Sequence, residues 1–504
     1  MSSPELSAAP VLVIGAGIMG AGIAQVAAQS GHRVFLFDVR EGAASQARAK
    51  LDQTLQGLQG KGKITAQAAA QTLSRIAVVD QLAQANDVGL VIEAIVENLD
   101  AKRALFQQLE TVVGPECVLA TNTSSISVTA IANGLQYPGR LVGMHFFNPV
   151  PLMKLVEVVS GLQTDFAVAQ AIFELSETWG KVPVHARSTP GFIVNRIARP
   201  FYAETLALLH ERAAQPAELD ACLRAVGFRM GPCELMDLIG HDTNFAVTQS
   251  VFEANFYDKR YVPSQVQREL VDAGLLGRKS GRGFFDYRAV HENPSKPSPE
   301  SGADPKLPPP EHRSLTVMGR GPWAEHWAQA LDQAGLSVAR EPKSDWLGLD
   351  VDGAQLRMSD GRTASMLGRD VAVFDRPTSQ TVGAALAWAA SGQASGDWVR
   401  AAPNWLRMLG VAPIRVQDTP ALVVTRTLAM LINEAADAVQ QGVCSIDGAN
   451  AAMRLGVNYP AGPFDWLGGW SAAGVISVLE ALDAHYRGER YRVSPWLRQH
   501  AAAH

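Results

Sequence analysis

Apolar residues come first in short, unbroken runs. VLVI at 11–14 leads into a cluster of glycines, and further runs stand at 33–37 (RVFLF), 87–92 (DVGLVI), 117–120 (CVLA) and 140–144 (RLVGM). Ala- and Gln-rich segments with helical spacing separate them. Strands alternating with helices predict a parallel α/β sheet with helices packed on it. From about residue 190 helical spacing takes over, as in GFIVNRIARPFYAETLALLHE and PAELDACLRAV. That predicts a separate all-helical region, ending near GRKSGRGFFDY at 277–287. Residues 288–313 are rich in Pro, Ser and charge, which predicts a linker.

Composition narrows the classes. A chain of 504 residues has room for about three domains. Its formal net charge of -5 gives no electrostatic reason to expect nucleic acid or a membrane surface as partner. Cys117, Cys222, Cys233 and Cys444 stand far apart, with no CxxC pair. Reduced thiols and no metal site are therefore expected. The opening MSSPELSAAP lacks a basic segment followed by an apolar run, and no apolar stretch is long enough for a membrane span. The expected location is the cytoplasm.

The glycine cluster reads Gly15-Ala16-Gly17-Ile18-Met19-Gly20, and Asp38 closes the second run eighteen residues past Gly20. Alone, GxGxxG is a weak signal. Between a strand and a helix, with a carboxylate at that distance, it is the Rossmann dinucleotide fingerprint. The first glycine permits the tight turn, the second lets backbone approach a pyrophosphate, and the third lets helix and strand pack closely. The helix N-terminus adds free N–H groups and partial positive charge. Asp38 would accept hydrogen bonds from ribose hydroxyls and repel a 2′-phosphate, which favours NAD over NADP, although Arg40 stands close. The competing reading is an ordinary turn ending in a solvated Asp.

Two segments recur after the linker. Thr189-Pro190, Val194, Arg196 and Glu204 return as Thr419-Pro420, Val424, Arg426 and Glu434, and MGPCELMDLIG at 230–240 is echoed by AGPFDWLGG at 461–469. More faintly, Gly15, Gly17 and Gly31 return as Gly319, Gly321 and Gly335, but Ala324 and Pro342 replace Gly20 and Asp38. The expected organisation is an NAD-binding Rossmann domain over 1–188, a helical domain over 189–287, the linker over 288–313, a degenerate Rossmann-like segment over 314–414 that does not bind NAD, and a second helical domain over 415–504.

Candidate chemistry lies in ATNTSSIS at 120–127 and GMHFFNPVPLMKLVEVV at 143–159. Both begin at ends of predicted strands, where open α/β sheets place their ligands. His145 suits general-base oxidation of an alcohol at neutral pH. Glu157 follows twelve residues on, past a Pro-containing turn that can bring the chain back. A carboxylate on the second ring nitrogen would set the tautomer and stabilise the imidazolium. The other readings are a hydrogen-bonded core histidine and a solvated carboxylate at a strand edge.

HFFNPVPLMKLVEVV, NTSSIS, VIEAIVENLDAKRALF (91–106), TPGFIVNRI (189–197) and GLLGRKSGRGFFDY (274–287) resemble the 3-hydroxyacyl-CoA dehydrogenase family over about residues 10–287. A second, degenerate C-terminal-domain copy covers about 415–490. The resemblance implies reversible NAD-dependent oxidation of L-3-hydroxyacyl-CoA to 3-oxoacyl-CoA. It implies His145 as the catalytic histidine, Glu157 as its pair, and Ser124 and Asn195 as hydrogen-bonding partners of the substrate oxygen. Asn148 falls near the nicotinamide, Glu97, Lys102 and Lys279 among further cofactor contacts, and Thr54 and Lys61 where coenzyme A is held. Lys61 and Lys63 otherwise read as a solvated basic turn, and Glu97 with Lys102 as a surface pair. Because Asn195 belongs to the helical region, the resemblance suggests a cleft completed when two domains meet.

In the second copy Thr425 stands for Asn195 and no HFFNP segment precedes it. Single-copy members commonly pair through their helical domains. Residues 415–490 are therefore expected to dock on 190–287 as an internal pseudo-dimer, with a homo-oligomer left open. The long form with two helical domains is similar to dehydrogenases of phenylacetate catabolism acting on 3-hydroxyadipyl-CoA. The alternative is a 3-hydroxybutyryl-CoA or general β-oxidation enzyme. A distal carboxylate would want a cation, for which Arg199 and Arg229 are the candidates. Two further readings are a dehydrogenase of free hydroxy acids and a silent NAD-binding scaffold. Thr54 and Lys61 argue against the first, and the intact Ser124, His145, Glu157 and Asn195 against the second.

Overall fold

The computed structural model describes residues 5–288, 311–378 and 382–503; most of the expected linker, from 289 to 310, lies outside them. The chain divides into two compact units, one made of residues up to Arg196 with Ala438–Asn458, the other of Ile197–Asp437 with Tyr459–His504.

The first unit is built on an eight-stranded sheet. Its strands are β1 (Val11–Ile14), β2 (Val34–Phe37), β3 (Ile76–Val78), β4 (Leu90–Glu93), β5 (Val118–Thr121), β6 (Leu141–Phe146), β7 (Leu155–Ser160) and β8 (Val182–Arg187). They lie in the order β3-β2-β1-β4-β5-β6-β7-β8. All neighbours are parallel except β6 and β7. The five apolar runs are strands because a sheet covered on both faces needs unbroken hydrophobic segments; all four residues of β1, β4 and β5 are buried.

Three strands carry no such run. β3 has only three residues. β7 lies inside the segment that the sequence presents as a turn and its return. Edge strand β8 mixes buried and exposed positions and holds Pro183, which an edge tolerates because its outer side has no ladder partner. The wholly parallel sheet expected from the sequence is thus corrected at one place, the β6–β7 hairpin.

The helix Ile446–Gly456, from the second repeat, belongs to this first unit. A Cβ at Gly456 would lie 2.6 Å from the Leu155 side chain on β7, and the Arg187 N–H at the end of β8 donates to the Val443 carbonyl (2.9 Å). Compact packing therefore cuts the chain differently from the sequence repeats.

The second unit contains helices from Arg199–His210 through Gln265–Asp272, then a seven-stranded sheet, then the long helix Val424–Gln440 as far as Asp437, and the helices from Pro463–Trp470 onward. The sheet comprises β9 (Leu315–Met318), β10 (Ala339–Glu341), β11 (Gly348–Val351), β12 (Ala354–Met358), β13 (Val371–Phe374), β14 (Ala384–Ala390) and β15 (Val411–Arg415), in the order β10-β9-β11-β12-β13-β14-β15. Here β11 and β12 form an antiparallel hairpin inserted beside β9. The expected Rossmann-like segment is a shortened, mixed-strand version of the first sheet. His145 faces Glu157 across β6–β7, and Val373 faces Ala389 across β13–β14.

Candidate active site

The glycine loop leaves β1 and enters the first helix, α1 (Ile18–Gln29). Gly15 has φ +103°, and a Cβ there would meet the Ala94 carbonyl oxygen at 2.4 Å. A Cβ at Gly20 would meet the Gly15 carbonyl oxygen at 1.7 Å, whereas one at Gly17 would meet nothing within 4 Å. The first and third glycines are thus required by contacts inside the protein, while the space over Gly17 is open. α1 starts at Gly17 with no side chain capping its first turn and no acidic residue in it. That leaves free N–H groups and the positive end of the helix dipole for an anion.

Asp38 ends β2 and points back at this loop, accepting the Ala16 N–H at 2.8 Å and the Arg40 N–H at 2.9 Å. Burial pushes its carboxyl up, but the Arg40 guanidinium and the two backbone N–H groups outweigh that and hold it below the usual range. Ile18, Val39 and Val96 stand 78%, 81% and 69% exposed just past the ends of β1, β2 and β4. Exposed apolar side chains beside free N–H donors fit the flat rings and the pyrophosphate of a dinucleotide.

A buried ionic cluster follows β4. Glu93 is fully buried and accepts from Lys102 Nζ (2.6 Å), Thr121 Oγ1 (2.7 Å) and the Ile95 N–H (2.8 Å). Lys102 also pairs with Glu97 at 3.3 Å. The reading of Glu97 and Lys102 as a surface pair is corrected here, because the Lys102 side chain is 1% exposed and Glu93 draws it inward. Glu97 in turn collects Thr123 Oγ1 (2.7 Å), the Ser124 and Ser125 N–H groups (2.9 and 3.0 Å) and the Ser125 hydroxyl. Burial raises its pKa; Lys102 and these donors more than reverse that, so it stays ionised. Glu97 therefore shapes the loop that carries Ser124. Glu93 was missed in the sequence, although a carboxylate closing a buried apolar strand must find a cation or donors nearby.

His145 and Glu157 meet across the β6–β7 hairpin, with Nδ1 2.5 Å from Oε2. Glu157 is fully buried and His145 nearly so. The other Glu157 oxygen accepts the Ile193 and Val194 N–H groups at 3.1 and 2.9 Å. These donors are presented by a left-handed turn at Gly191 and Phe192, φ +77° and +46°. Phe147 and Phe192 wall the imidazole, with ring centroids 4.5 and 5.9 Å away. A carboxylate only accepts, so Nδ1 carries the proton and Nε2 is left as the basic nitrogen.

Asn195 follows directly and its Nδ2 lies 3.4 Å from the Ser124 carbonyl. It sits in the same compact unit as Ser124 and His145. The backbone bonds from Ile193 and Val194 to Glu157 tie this turn to β7.

Asn122 also escaped the sequence reading; its Oδ1 takes the Phe146 N–H at 2.8 Å and fixes the end of β6. Asn148 follows that end and is exposed. Thr54 and Lys61 are both exposed, Thr54 on the second helix, α2 (Ala43–Gly60), and Lys61 at its C-terminus, seven residues on and so on the same face. Lys279 belongs to the second unit, where its Nζ donates to Asp242 at 2.6 Å. Among the described residues no cluster of His, Cys, Asp or Glu could hold a metal, and no helix is long and apolar enough to cross a membrane.

In the second sheet the chemistry is gone. Across β13–β14 Val373 faces Ala389, and neither strand carries a His or a Glu. A segment related to HFFNP does stand there, as VFDRP at 373–377, which the sequence reading overlooked. Its Asp375 caps the Val423, Val424 and Thr425 N–H groups, so a carboxylate still anchors the turn but faces no histidine across the strands.

Three family models match this chain. They are the NAD-binding domain of 3-hydroxyacyl-CoA dehydrogenase over residues 10–189, its C-terminal domain over 191–287 and 422–504, and the 3-hydroxybutyryl-CoA dehydrogenase reduced Rossmann-fold domain over 356–420. A 3-hydroxyadipyl-CoA dehydrogenase of Escherichia coli (strain K12) is 43% identical over 498 residues, 97% of each chain. A probable 3-hydroxybutyryl-CoA dehydrogenase of Deinococcus radiodurans is 44% identical over 276 residues, 55% of this chain and 99% of its own. The crystal structure of a 3-hydroxybutyryl-CoA dehydrogenase from Escherichia coli K12 matches with 42% identity, 99% of both chains and a TM-score of 0.86.

Proposed function

The chain belongs to the 3-hydroxyacyl-CoA dehydrogenase family, and on that footing we propose that His145 is the general base of an NAD-dependent oxidation of L-3-hydroxyacyl-CoA, run reversibly to the 3-oxoacyl-CoA. The observation that carries this reading is the buried His145–Glu157 pair, held across one antiparallel hairpin beside Ser124 and Asn195.

NAD, held at the glycine loop and Asp38, would supply the hydride acceptor for C3 of the substrate. His145 Nε2 accepts the proton of the 3-hydroxyl, and Glu157 stabilises the imidazolium so formed. The Ser124 hydroxyl and the Asn195 amide hold the reacting oxygen as it becomes a carbonyl; neutral preorganised dipoles suit an oxygen whose charge changes. Phe147 and Phe192 keep water from the ring. Gly17 would admit the pyrophosphate in the turn that Gly15 and Gly20 permit, Asp38 would hold the adenosine ribose, and Glu97 and Asn148 would add cofactor contacts, with buried Lys102 holding Glu97 in place. Thr54 and Lys61 on one face of α2 receive coenzyme A, the lysine offering a cation to its phosphates.

The substrate we favour is 3-hydroxyadipyl-CoA, supported by the full-length relative bearing that name. Of the two cations considered for its distal carboxylate, Arg229 is exposed, while Arg199 is buried over the Tyr202 ring and donates to Thr248. The test is NADH formation with 3-hydroxybutyryl, 3-hydroxyhexanoyl and 3-hydroxyadipyl esters, with His145→Ala as control. The adipyl ester should give the highest kcat/KM and the variant almost no rate. A preference for the butyryl ester would overturn the substrate assignment, and an active variant the base assignment.

The second half serves as the pseudo-partner of the first helical domain. What supports this is contact reciprocity within the second unit. Arg260 and Tyr261 hold Glu434, with Tyr261 Oη at 2.5 Å, and the corresponding Arg490 and Tyr491 hold Glu204 at 2.8 and 3.1 Å. Each pair lies 230 residues from its counterpart, so the same patch meets itself, as in an isologous dimer. A fragment of residues 1–288 should be dimeric or aggregating on gel filtration. A well-behaved monomer of full stability would overturn this. The four unpaired cysteines agree with a reducing, cytoplasmic setting.

A further inference from the structure

The reduced second sheet has a crevice of its own. A cavity of about 250 Å³ lies outside the carboxyl ends of β9, β12 and β13, lined among others by Arg320, Trp346, Ser359, Arg376, Trp470 and Ser477. This is the position at which open α/β sheets bind ligands.

Arg376 is the unusual residue in it. Its Nε is buried with no hydrogen-bond partner, and its guanidinium lies over the Trp470 ring, 4.7 Å from the centroid. Among the described residues no carboxylate pairs with it. Burial alone, with no opposing charge, pulls its pKa down to about 10. A half-buried guanidinium whose Nε is out of water without an acceptor is costly to keep. It stands just before Pro377, as the neutral Asn148 stands before Pro149 in the first sheet, so a cation has taken the place of an amide in the equivalent crevice.

The surroundings suit an anion. Arg320 lies in the glycine turn, where a Cβ at Gly321 would meet nothing within 4 Å. Two carboxylates share the lining: Asp360 is engaged by Arg362, and Asp345 is exposed. Pro342 stands where a ribose-binding carboxylate would be, which speaks against a dinucleotide.

We infer that this crevice binds a small organic anion, a carboxylate or a phosphate ester, whose head pairs with Arg376 and Arg320 and whose body rests against Trp346 and Trp470.

The experiment uses the full chain with saturating NAD, so that the first crevice is filled. Adipate, AMP and inorganic phosphate are titrated by calorimetry and followed by tryptophan emission. At least one should bind saturably and change the emission. Loss of a charge-assisted contact in Arg376→Gln should weaken it about tenfold or more, with kcat and the KM for NAD unchanged. Arg320→Ser should weaken it less, and gives the answer if the first variant folds poorly. Tighter adipate binding assigns the head group as carboxylate, and tighter AMP or phosphate binding as phosphate. No binding by any probe up to about 10 mM, a concentration that admits even weak sites, overturns the inference. So does binding that neither substitution alters.

Discussion

Glu157→Gln removes a charge from the site while keeping its volume. Glu157 is fully buried, with one oxygen 2.5 Å from His145 Nδ1 and the other accepting the Ile193 and Val194 N–H groups. A glutamine has one carbonyl oxygen for both tasks. If that oxygen stays on the two backbone donors, its NH₂ faces the imidazole. The ring must then turn a lone pair toward it, placing its own proton on Nε2, the nitrogen that has to receive the substrate's. The imidazolium formed on oxidation would also face a donor instead of a carboxylate.

Loss of one charge-assisted hydrogen bond is worth about 1.5–3 kcal/mol, or roughly 10- to 100-fold in rate. With the tautomer inverted as well, kcat should fall by about 10²–10⁴. The KM for acyl-CoA should stay within about threefold, because the affected contact develops in the transition state. Initial rates of NADH formation, with circular dichroism as a check on folding, measure both. In a His145→Ala background the same change should cost almost nothing further, since the two groups act as one. A folded Glu157→Gln enzyme with kcat within about threefold of the parent would refute the mechanism.

Other consequences follow from the same geometry. Gly20→Ala drives a methyl into the Gly15 carbonyl and should lower stability by about 1–3 kcal/mol and weaken NAD binding, read by thermal melts and the KM for NAD; unchanged values would show that the loop relaxes freely. Asp38→Ala should raise the KM for NAD about tenfold with kcat retained. Because the Asp38 carboxyl is held low, that penalty should be the same at pH 6 and pH 8; a penalty that varies over this range would contradict the assignment. Burial raises the Asp220 carboxyl to about 6, against backbone bonds from Cys233 and Glu234. Its contribution to stability is therefore full below the ordinary carboxylate range and fades as pH rises through about 6. The melting-temperature advantage of the parent over Asp220→Asn should accordingly shrink between pH 4 and pH 7, and a constant gap would be the contrary result. Glu434→Ala strands part of the Arg260–Tyr261 network and should destabilise by about 3 kcal/mol or more in urea unfolding, whereas a change under about 0.5 kcal/mol would deny the network any structural weight.

Local chemistry made much of this protein legible along the chain. The glycine loop announces itself because backbone crowding at Gly15 and Gly20 excludes side chains, and the buried strands because both of their faces must be apolar. The repeats show in residues 230 apart because the same helices are built twice. His145 and Glu157 stand out as residue types. Their relation does not, because a spacing of twelve is compatible with many turns and only the antiparallel register of β6 and β7 puts one opposite the other. Glu93 and Asn122 were invisible for a related reason: each matters through partners on neighbouring strands or turns that share no local pattern with it. The helix Ile446–Gly456 reads as part of the second helical domain, yet it is packed on β7 and β8 within the first unit. Periodicity tells a helix which face to bury; only the folded chain supplies the surface that receives it.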